Sequence, residues 1–222
     1  MKNLEYFASH ARGEWTGYYA SAVRDEPVVK VKALYYRNDP IIHGELTCKA
    51  SPAWHPIPIH SAPILWNLLE RAGIEGIKGV WFHGTGAMVI PVISIEQLYP
   101  GHAKHVATAA AGIWCGNAMA GRWVIVVDED INISSLEEVL WALCTRCDPE
   151  TSIEIIKGFL NTPLDPILSP EKRAKNDFTQ AKVLITACKP YDWRENFPSI
   201  AQSSQKLREK VLEKFGTYFK GT

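Results

Sequence analysis

Three acidic side chains stand in a row at Asp128, Glu129 and Asp130, directly after the apolar run Trp123-Val124-Ile125-Val126-Val127. Carboxylate oxygens at this density can hold a hard divalent cation such as Mg²⁺. The same charges can instead complement the positive N-terminal end of a following helix. Cys144-Thr145-Arg146-Cys147 has C-x-x-C spacing, but no second pair stands at zinc spacing, and structural cysteine is the base reading. His102 and His105 are three apart, with no carboxylate spaced to complete a metal site, so helix-end or solvated histidines are the simpler reading. Gly84-Thr85-Gly86 can offer backbone amides to a phosphate. It lacks the P-loop lysine and the full dinucleotide fingerprint, which leaves a plain turn as the expectation. Glu14 is followed closely by Trp15, Tyr18 and Tyr19. A lone glutamate of this kind reads, by itself, as a solvated residue.

These residues must be positioned by regular elements. The β-branched run before Asp128 suits a strand buried on both faces. Ser134 with Glu137, and Ser135 with Glu138, both fit a capping box. Leu136, Val139, Leu140, Leu143 and Cys147 then fall on one helical face, and Pro149 stops that helix. Upstream, residues 13–19 read as a short strand, and residues 28–36 as a clearer one. In the latter Val29, Val31, Ala33 and Tyr35 alternate with Lys30 and Lys32. Asp25-Glu26-Pro27 and Asn38-Asp39-Pro40 read as turns, and residues 41–44 as a further short strand. Pro52, Pro56, Pro58 and Pro63 make residues 51–63 a stiff linker and a natural domain boundary. Ser61 can cap a helix with Pro63 in its first turn. Its apolar face is Ile64, Leu65, Leu68, Leu69 and Ala72, and Gly73 closes it. Strands over 77–82 and 88–95 follow, then an alanine-rich helix over 103–115 whose small side chains allow close approach. Beyond Pro149 come a strand over 152–156, the rigid turn Asn161-Thr162-Pro163-Leu164-Asp165-Pro166, a strand over 181–188 and an aromatic loop over 190–198. Leu207, Val211, Leu212, Phe215, Tyr218 and Phe219 mark an amphipathic helix over 203–219. This order predicts an α/β domain preceded by a short β segment.

Composition narrows the class. The 222 residues are 46% apolar and 22% charged, a globular balance. Lysine and arginine together number 24, as do aspartate and glutamate, so the formal net charge is zero and no electrostatic footprint for nucleic acid is present. No apolar run reaches the roughly 18 residues of a membrane span, and residues 1–14 have no apolar signal core. A cytoplasmic location is the default expectation. Five cysteines, an odd number in a chain of this size, argue against a disulfide framework.

Residues 126–149, VVDEDINISSLEEVLWALCTRCDP, resemble the C-terminal signature of the UbiD-type decarboxylases: hydrophobic strand, D-x-D-I turn, E-V-L-W-A run and T-R-x-D-P ending in one order. Other stretches are similar too: FASHARGEWTGYYAS, SAPILWNLLERAGIEGIKGVWFH, YPGHAKHVATAA, NTPLDP and AKVLITACKPYDWRENFP. The last two resemble the hydroxybenzoate-type branch. The resemblance runs from about Gly13 to the end and corresponds to the C-terminal half of a typical member. It implies a non-oxidative (de)carboxylase for an aromatic hydroxy acid, with prenylated FMN as electron sink and a divalent metal, Mn or Mg. The main binding residues for both groups belong to the half that this chain does not match. In the family's E-G-P-F-G-E pattern the second glutamate matches Glu14, which the resemblance makes the proton donor. An apolar surround from Trp15, Tyr18 and Tyr19 would raise its pKa. The first glutamate matches Ser9, which cannot exchange a proton near neutral pH, and Gly-Pro-Phe is replaced by His10-Ala11-Arg12. Thr162 and Leu164 match the family stretch lining the substrate pocket; read alone, they form a proline-stiffened turn. In the family the acidic turn at Asp128 is structural.

The resulting layout is a β segment over 1–50, a remnant of the family's split β-barrel that completes the flavin-binding barrel in full-length relatives. A Pro-rich linker over 51–63, an α/β domain over 64–200 and a terminal helix over 201–222 follow. The helix can serve a homo-oligomer, and a separate flavin-binding partner chain is the other partnership implied. The competing expectation is a non-catalytic oligomerisation or remnant domain. An unrelated nucleotide-binding protein using Gly84 to Gly86 is the third.

Overall fold

The structure, a computed structural model, describes residues 6–8, 14, 16–19, 25–42, 49, 57–83, 90–113, 121–201 and 203–216. The chain divides into two compact units, Met1–Tyr191 and Asp192–Thr222.

The first unit is built on a mixed five-stranded sheet of order β3-β4-β5-β7-β6. Its strands are β3 (Ile77–Phe82), β4 (Pro91–Ile95), β5 (Trp123–Asp128), β6 (Ile153–Leu160) and β7 (Thr179–Ala187). β4, β5 and β7 are parallel, whereas β3 and β6 close the two sides antiparallel. Successive residues of the central strands face opposite layers, as the strand period of two requires. Val124 and Val126 join one core with Ile93, Ile95 and Leu184, covered by α1 (Ile57–Arg71) and α2 (His102–Ile113). Ile125 and Val127 join the other with Val92, Ile185 and Ala187, covered by α3 (Leu136–Arg146). Burying each such valine contributes about 1.5–3 kcal/mol, which is why the β-branched run of β5 lies at the centre. The alanines of α2 work as expected: Ala103, Ala107, Ala110 and Ala111 are buried where the helix lies against β5 and β7.

Several local expectations need correction. α1 begins at Ile57, so Pro63 lies inside the helix and residues 57–63 are not linker. Ser135 caps α3 by accepting from the Glu138 amide (3.2 Å), but Glu138 turns its carboxylate to the Asn132 amide (2.9 Å), so the reciprocal half of the capping box is not made. The buried face of α3 is Val139, Ala142 and Arg146, and Leu140 is exposed. Pro149 does end α3, but it also opens the single turn α4 (Pro149–Ser152), for which Asp148 is the cap.

Asp25–Pro27, expected as a turn, is strand β2, paired antiparallel with β1 (Tyr6–Ala8). Among the described residues of the expected strand over 13–19, the Glu14 amide donates to Tyr18 O (2.9 Å) and the Gly17 amide to Glu14 O (2.8 Å), closing a turn instead. Residues 28–42 carry no strand pairing, and every one of them is exposed, Tyr35 at 92%. The alternation there marks a face to be buried, but strands are defined by partners, and none is present among the described residues. The turn at Gly84 to Gly86, Trp15, Cys48 and Cys115 lie outside the described residues.

The second unit contains a helix, after the intervening short α5 (Pro170–Ala174) of the first, at α6 (Gln205–Phe215). Leu207, Val211, Leu212 and Phe215 are all exposed along it. Tyr218 and Phe219 lie outside the described residues. No described helix is long and apolar enough to cross a membrane.

His102 opens α2, the helix-end placement expected of it, but is fully buried rather than solvated, whereas His105 is exposed. The Nδ1 of His102 accepts from the Leu98 amide (3.2 Å), the Tyr99 ring lies 4.5 Å away, and its Nε2 is buried without a partner. Gly76 makes the room: a Cβ there would lie 2.7 Å from Glu96 O and 3.0 Å from His102 Cε1, at φ +75°. Burial holds the imidazole below its ordinary 6.5, and the same cause depresses His83. A histidine held neutral in the folded state contributes stability above the unfolded pKa, lost as pH falls through 6.5 toward the folded value. Stability should therefore drop below about pH 6.5, by up to about 1.4 kcal/mol per pH unit for each histidine. Urea unfolding of the wild type and of His102→Asn at about pH 7.5 and about pH 5.5 checks this; the variant should lose less on acidification.

Candidate functional site

In an open α/β sheet, ligands gather beyond the carboxyl ends of the parallel strands. Here that edge is filled by the protein's own ions. Asp128, at the end of β5, accepts from Gln97 Nε2 (2.7 Å), the Lys189 amide (2.7 Å) and Arg146 Nη1 (3.0 Å). Asp130 takes both arms of the Arg146 guanidinium (2.7 and 2.8 Å) and Lys189 Nζ (2.9 Å). The hydrogen bonds from Arg146, against the opposing effect of burial and with help from Lys189, bring Asp130 down to a pKa of about 2. Asp128 and Asp130 are thus committed to cations of this chain, and their pairing is with the last turn of α3, not with its first turn as the helix-end reading had it. No group of three or more histidine, cysteine, aspartate or glutamate side chains suited to a metal occurs among the described residues. Cys144 and Cys147 are free thiols, and burial raises the pKa of Cys147, the opposite of what a reactive thiol needs.

The other edge of the sheet collects the end of β3 at Phe82, the starts of β4, β5 and β7, and the end of β6 at Leu160. The chain leaves β6 there into the segment holding Thr162 and Leu164. Both side chains are half-buried. Thr162 Oγ1 accepts from the Leu164 amide (3.3 Å), and Asn161 Oδ1 accepts from the Thr162 amide (2.8 Å). Asp165 is the pivot, with its side chain fully buried. Its carboxylate takes Arg122 from the head of β5, Asn161 Nδ2 and the Ile167 amide (3.2 Å). Arg122 Nε continues to Gln180 Oε1 (3.1 Å), and Gln180 Nε2 to Leu160 O (3.0 Å). From the outer side Arg173 of α5 donates to three loop carbonyls, those of Pro163, Asp165 and Leu168. His83 is buried at this edge, its amide bonded to Ile90 O (3.3 Å) and its Nε2 without a partner.

Sequence reasoning singled out Thr162 and Leu164 but missed Arg122, Asn161, Asp165, Arg173 and Gln180. An Asn and an Asp four apart, each able to bond backbone amides locally, was the available signal. Glu14 lies apart from this loop in sequence, at the turn to Tyr18, and is half-buried. Tyr18 and Tyr19 are exposed at 63% and 78%, so they do not form the apolar surround expected around it.

Comparison with known proteins gives this geometry a family. The 3-octaprenyl-4-hydroxybenzoate carboxy-lyase C-terminal domain matches residues 58–187, and the Rift-related domain of the same carboxy-lyase matches residues 10–50. A phenolic acid decarboxylase of Bacillus subtilis (strain 168) is 33% identical over 162 residues, which cover 71% of this chain and 33% of that protein. Among solved structures, the UbiD-class enzyme HmfF from Pelotomaculum thermopropionicum in complex with FMN is 28% identical, with a TM-score of 0.72, covering 91% of this chain and 43% of that one. The vanillic acid decarboxylase of Sedimentibacter hydroxybenzoicus in its open form is 25% identical, with a TM-score of 0.73, covering 98% of this chain and 44% of that one. The chain therefore spans a third of the length of the curated relative and under half of the solved ones. On the match over residues 58–187, the chain belongs to the UbiD family of 3-octaprenyl-4-hydroxybenzoate carboxy-lyases, in its C-terminal region.

Proposed function

We propose that this chain is the C-terminal portion of a UbiD-class non-oxidative (de)carboxylase acting on an aromatic hydroxy acid. The reading is carried by the fastened Asn161–Leu168 loop: in a chain of this family, it holds Thr162 and Leu164 at one edge of the sheet, ready to form one wall of a substrate pocket. Glu14 is the proton donor to the ring carbon that loses carbon dioxide. Prenylated FMN supplies the electron sink. Asp128 and Asp130 of the acidic turn are paired with Arg146 and Lys189. By the family resemblance, the main flavin and metal residues lie in the half that this chain does not match, and residues 1–50 complete its barrel. The exposed segment 28–42, with its alternation over 28–36, is what that completion would bury. A phenolic or vanillic acid, the kind of substrate named for two relatives, is the substrate class that fits.

The exposed apolar stripe of α6 favours a second reading, a non-catalytic oligomerisation domain. Native mass spectrometry of the chain co-expressed with a flavin prenyltransferase separates the two. Retained flavin, alone or with a co-purified flavin-binding chain, supports the decarboxylase. A bare oligomer that decarboxylates no hydroxybenzoate supports the second reading.

A further inference from the structure

The two arginines that fasten the 161–168 loop do different work. Arg173 donates to three loop carbonyls, the ordinary way to satisfy a segment with no strand partners. Arg122 instead forms an ion pair with a carboxylate that is wholly buried, while its own side chain is 19% exposed. Burying an ion pair is not an efficient source of stability, since an apolar pair of similar volume does as well or better. What a guanidinium adds is direction: its planar fork fixes the orientation of its partners, which an ammonium cannot do. One arm fixes Asp165 and Nε fixes Gln180 at the start of β7. The loop is thereby keyed to two neighbouring central strands as well as to its own strand β6.

We propose that Arg122 is a positioning residue for substrate selection, setting where Leu164 stands against the bound aromatic acid through the Arg122–Asp165 pair. This rests on reading Thr162 and Leu164 as pocket residues. Leu164 has its amide tied to Thr162, and the carbonyls on either side of it are tied to Arg173, so the remaining freedom is movement of the whole loop over the sheet. The Arg122–Asp165 pair removes that freedom.

The test uses the full chain assembled with a flavin-binding portion and prenylated flavin, assayed on 4-hydroxybenzoate and vanillate. Arg122→Lys keeps the charge and loses the fork. It should raise KM for the preferred acid about tenfold and shift the preference between the two acids, with kcat within about twofold. Its melting temperature should stay near that of the wild type. If Arg122→Lys keeps the wild-type KM and preference, or if both parameters follow only the folded fraction, the role is structural and the proposal is overturned. If the wild-type assembly decarboxylates neither acid, the decarboxylase reading fails, and amide exchange on the 222-residue chain decides the positioning claim. Exchange at Leu164 and Ile167 at least about tenfold faster in Arg122→Lys, with Val124 and Ile185 unchanged, supports anchoring by the fork. Unchanged exchange at both loop amides overturns it.

Discussion

Replacing Arg146 by methionine should remove about 3–5 kcal/mol of unfolding free energy, among the largest losses expected of a single substitution in this chain. The Arg146 side chain is 1% exposed and serves two carboxylates at once. Methionine fills much of the volume, so the loss comes from stranding charge rather than from opening a cavity. Asp128, with 11% of its side chain exposed, bears most of it; Asp130, at 31%, keeps some solvent and Lys189. A smaller part comes from the Trp141 ring, whose centroid lies 5.4 Å from the guanidinium carbon. Two further measurements separate this account from simple loss of packing. Arg146→Met combined with Asp128→Asn should recover at least about 1 kcal/mol relative to the single variant, because the second change removes the stranded charge. The acid limb should also move. Asp130 titrates near 2 in the folded chain against 3.8 unpaired, so it contributes stability above pH 3.8 that is lost as pH falls toward 2. Without Arg146 that contribution shrinks, and the wild-type and variant unfolding curves should converge as the pH drops through this window.

The sheet was readable because its signals are local. The apolar run from Trp123 to Val127 identifies a buried central strand without any knowledge of its neighbours, and the Ser135 cap and Pro149 bracket the helix after it. Failures came where a partner decides the outcome. Residues 28–36 have the alternation of a strand but no strand beside them among the described residues, and Asp25-Glu26-Pro27 has turn chemistry but pairs with Tyr6–Ala8. Proline misled for a related reason. Pro63 fits a first helical turn, and nothing in its own chemistry says that the helix has already begun at Ile57.

The site was less legible than the fold because its polar groups meet across the topology. Thr162 and Leu164 came from family resemblance, and local chemistry offered only a stiff turn. Asp165 is explained by Arg122, 43 residues earlier, and the two meet only because β5 and β7 are neighbours and β6 returns alongside β7. The acidic triplet was legible only in part. Its residue types suit a metal or a helix end, but Arg146 and Lys189 arrive from α3 and from beyond β7 to pair Asp128 and Asp130. A carboxylate cluster in a sequence states a charge that must be balanced, and only the fold says by what.

Glu14 carries the other large expectation. On the proposed function, Glu14→Gln in the chain assembled with a flavin-binding portion should lower kcat by about 10²–10⁴-fold, the usual contribution of a positioned proton donor. Gln preserves the length of the side chain and its hydrogen-bonding reach but has no acidic proton to give. The turn that holds this position is made by backbone groups, the Glu14 amide to Tyr18 O and the Gly17 amide to Glu14 O, so the substitution should leave both it and the melting temperature intact. Flavin retention should also be unchanged. A loss of kcat with folding and flavin preserved therefore isolates proton delivery. Ser9 sharpens the test, because it stands where the family pattern carries its other glutamate. With a serine there, no second carboxylate of that pattern can take over the transfer, and Glu14→Gln should leave little residual turnover. Retention of most of kcat by Glu14→Gln would remove Glu14 from the reaction.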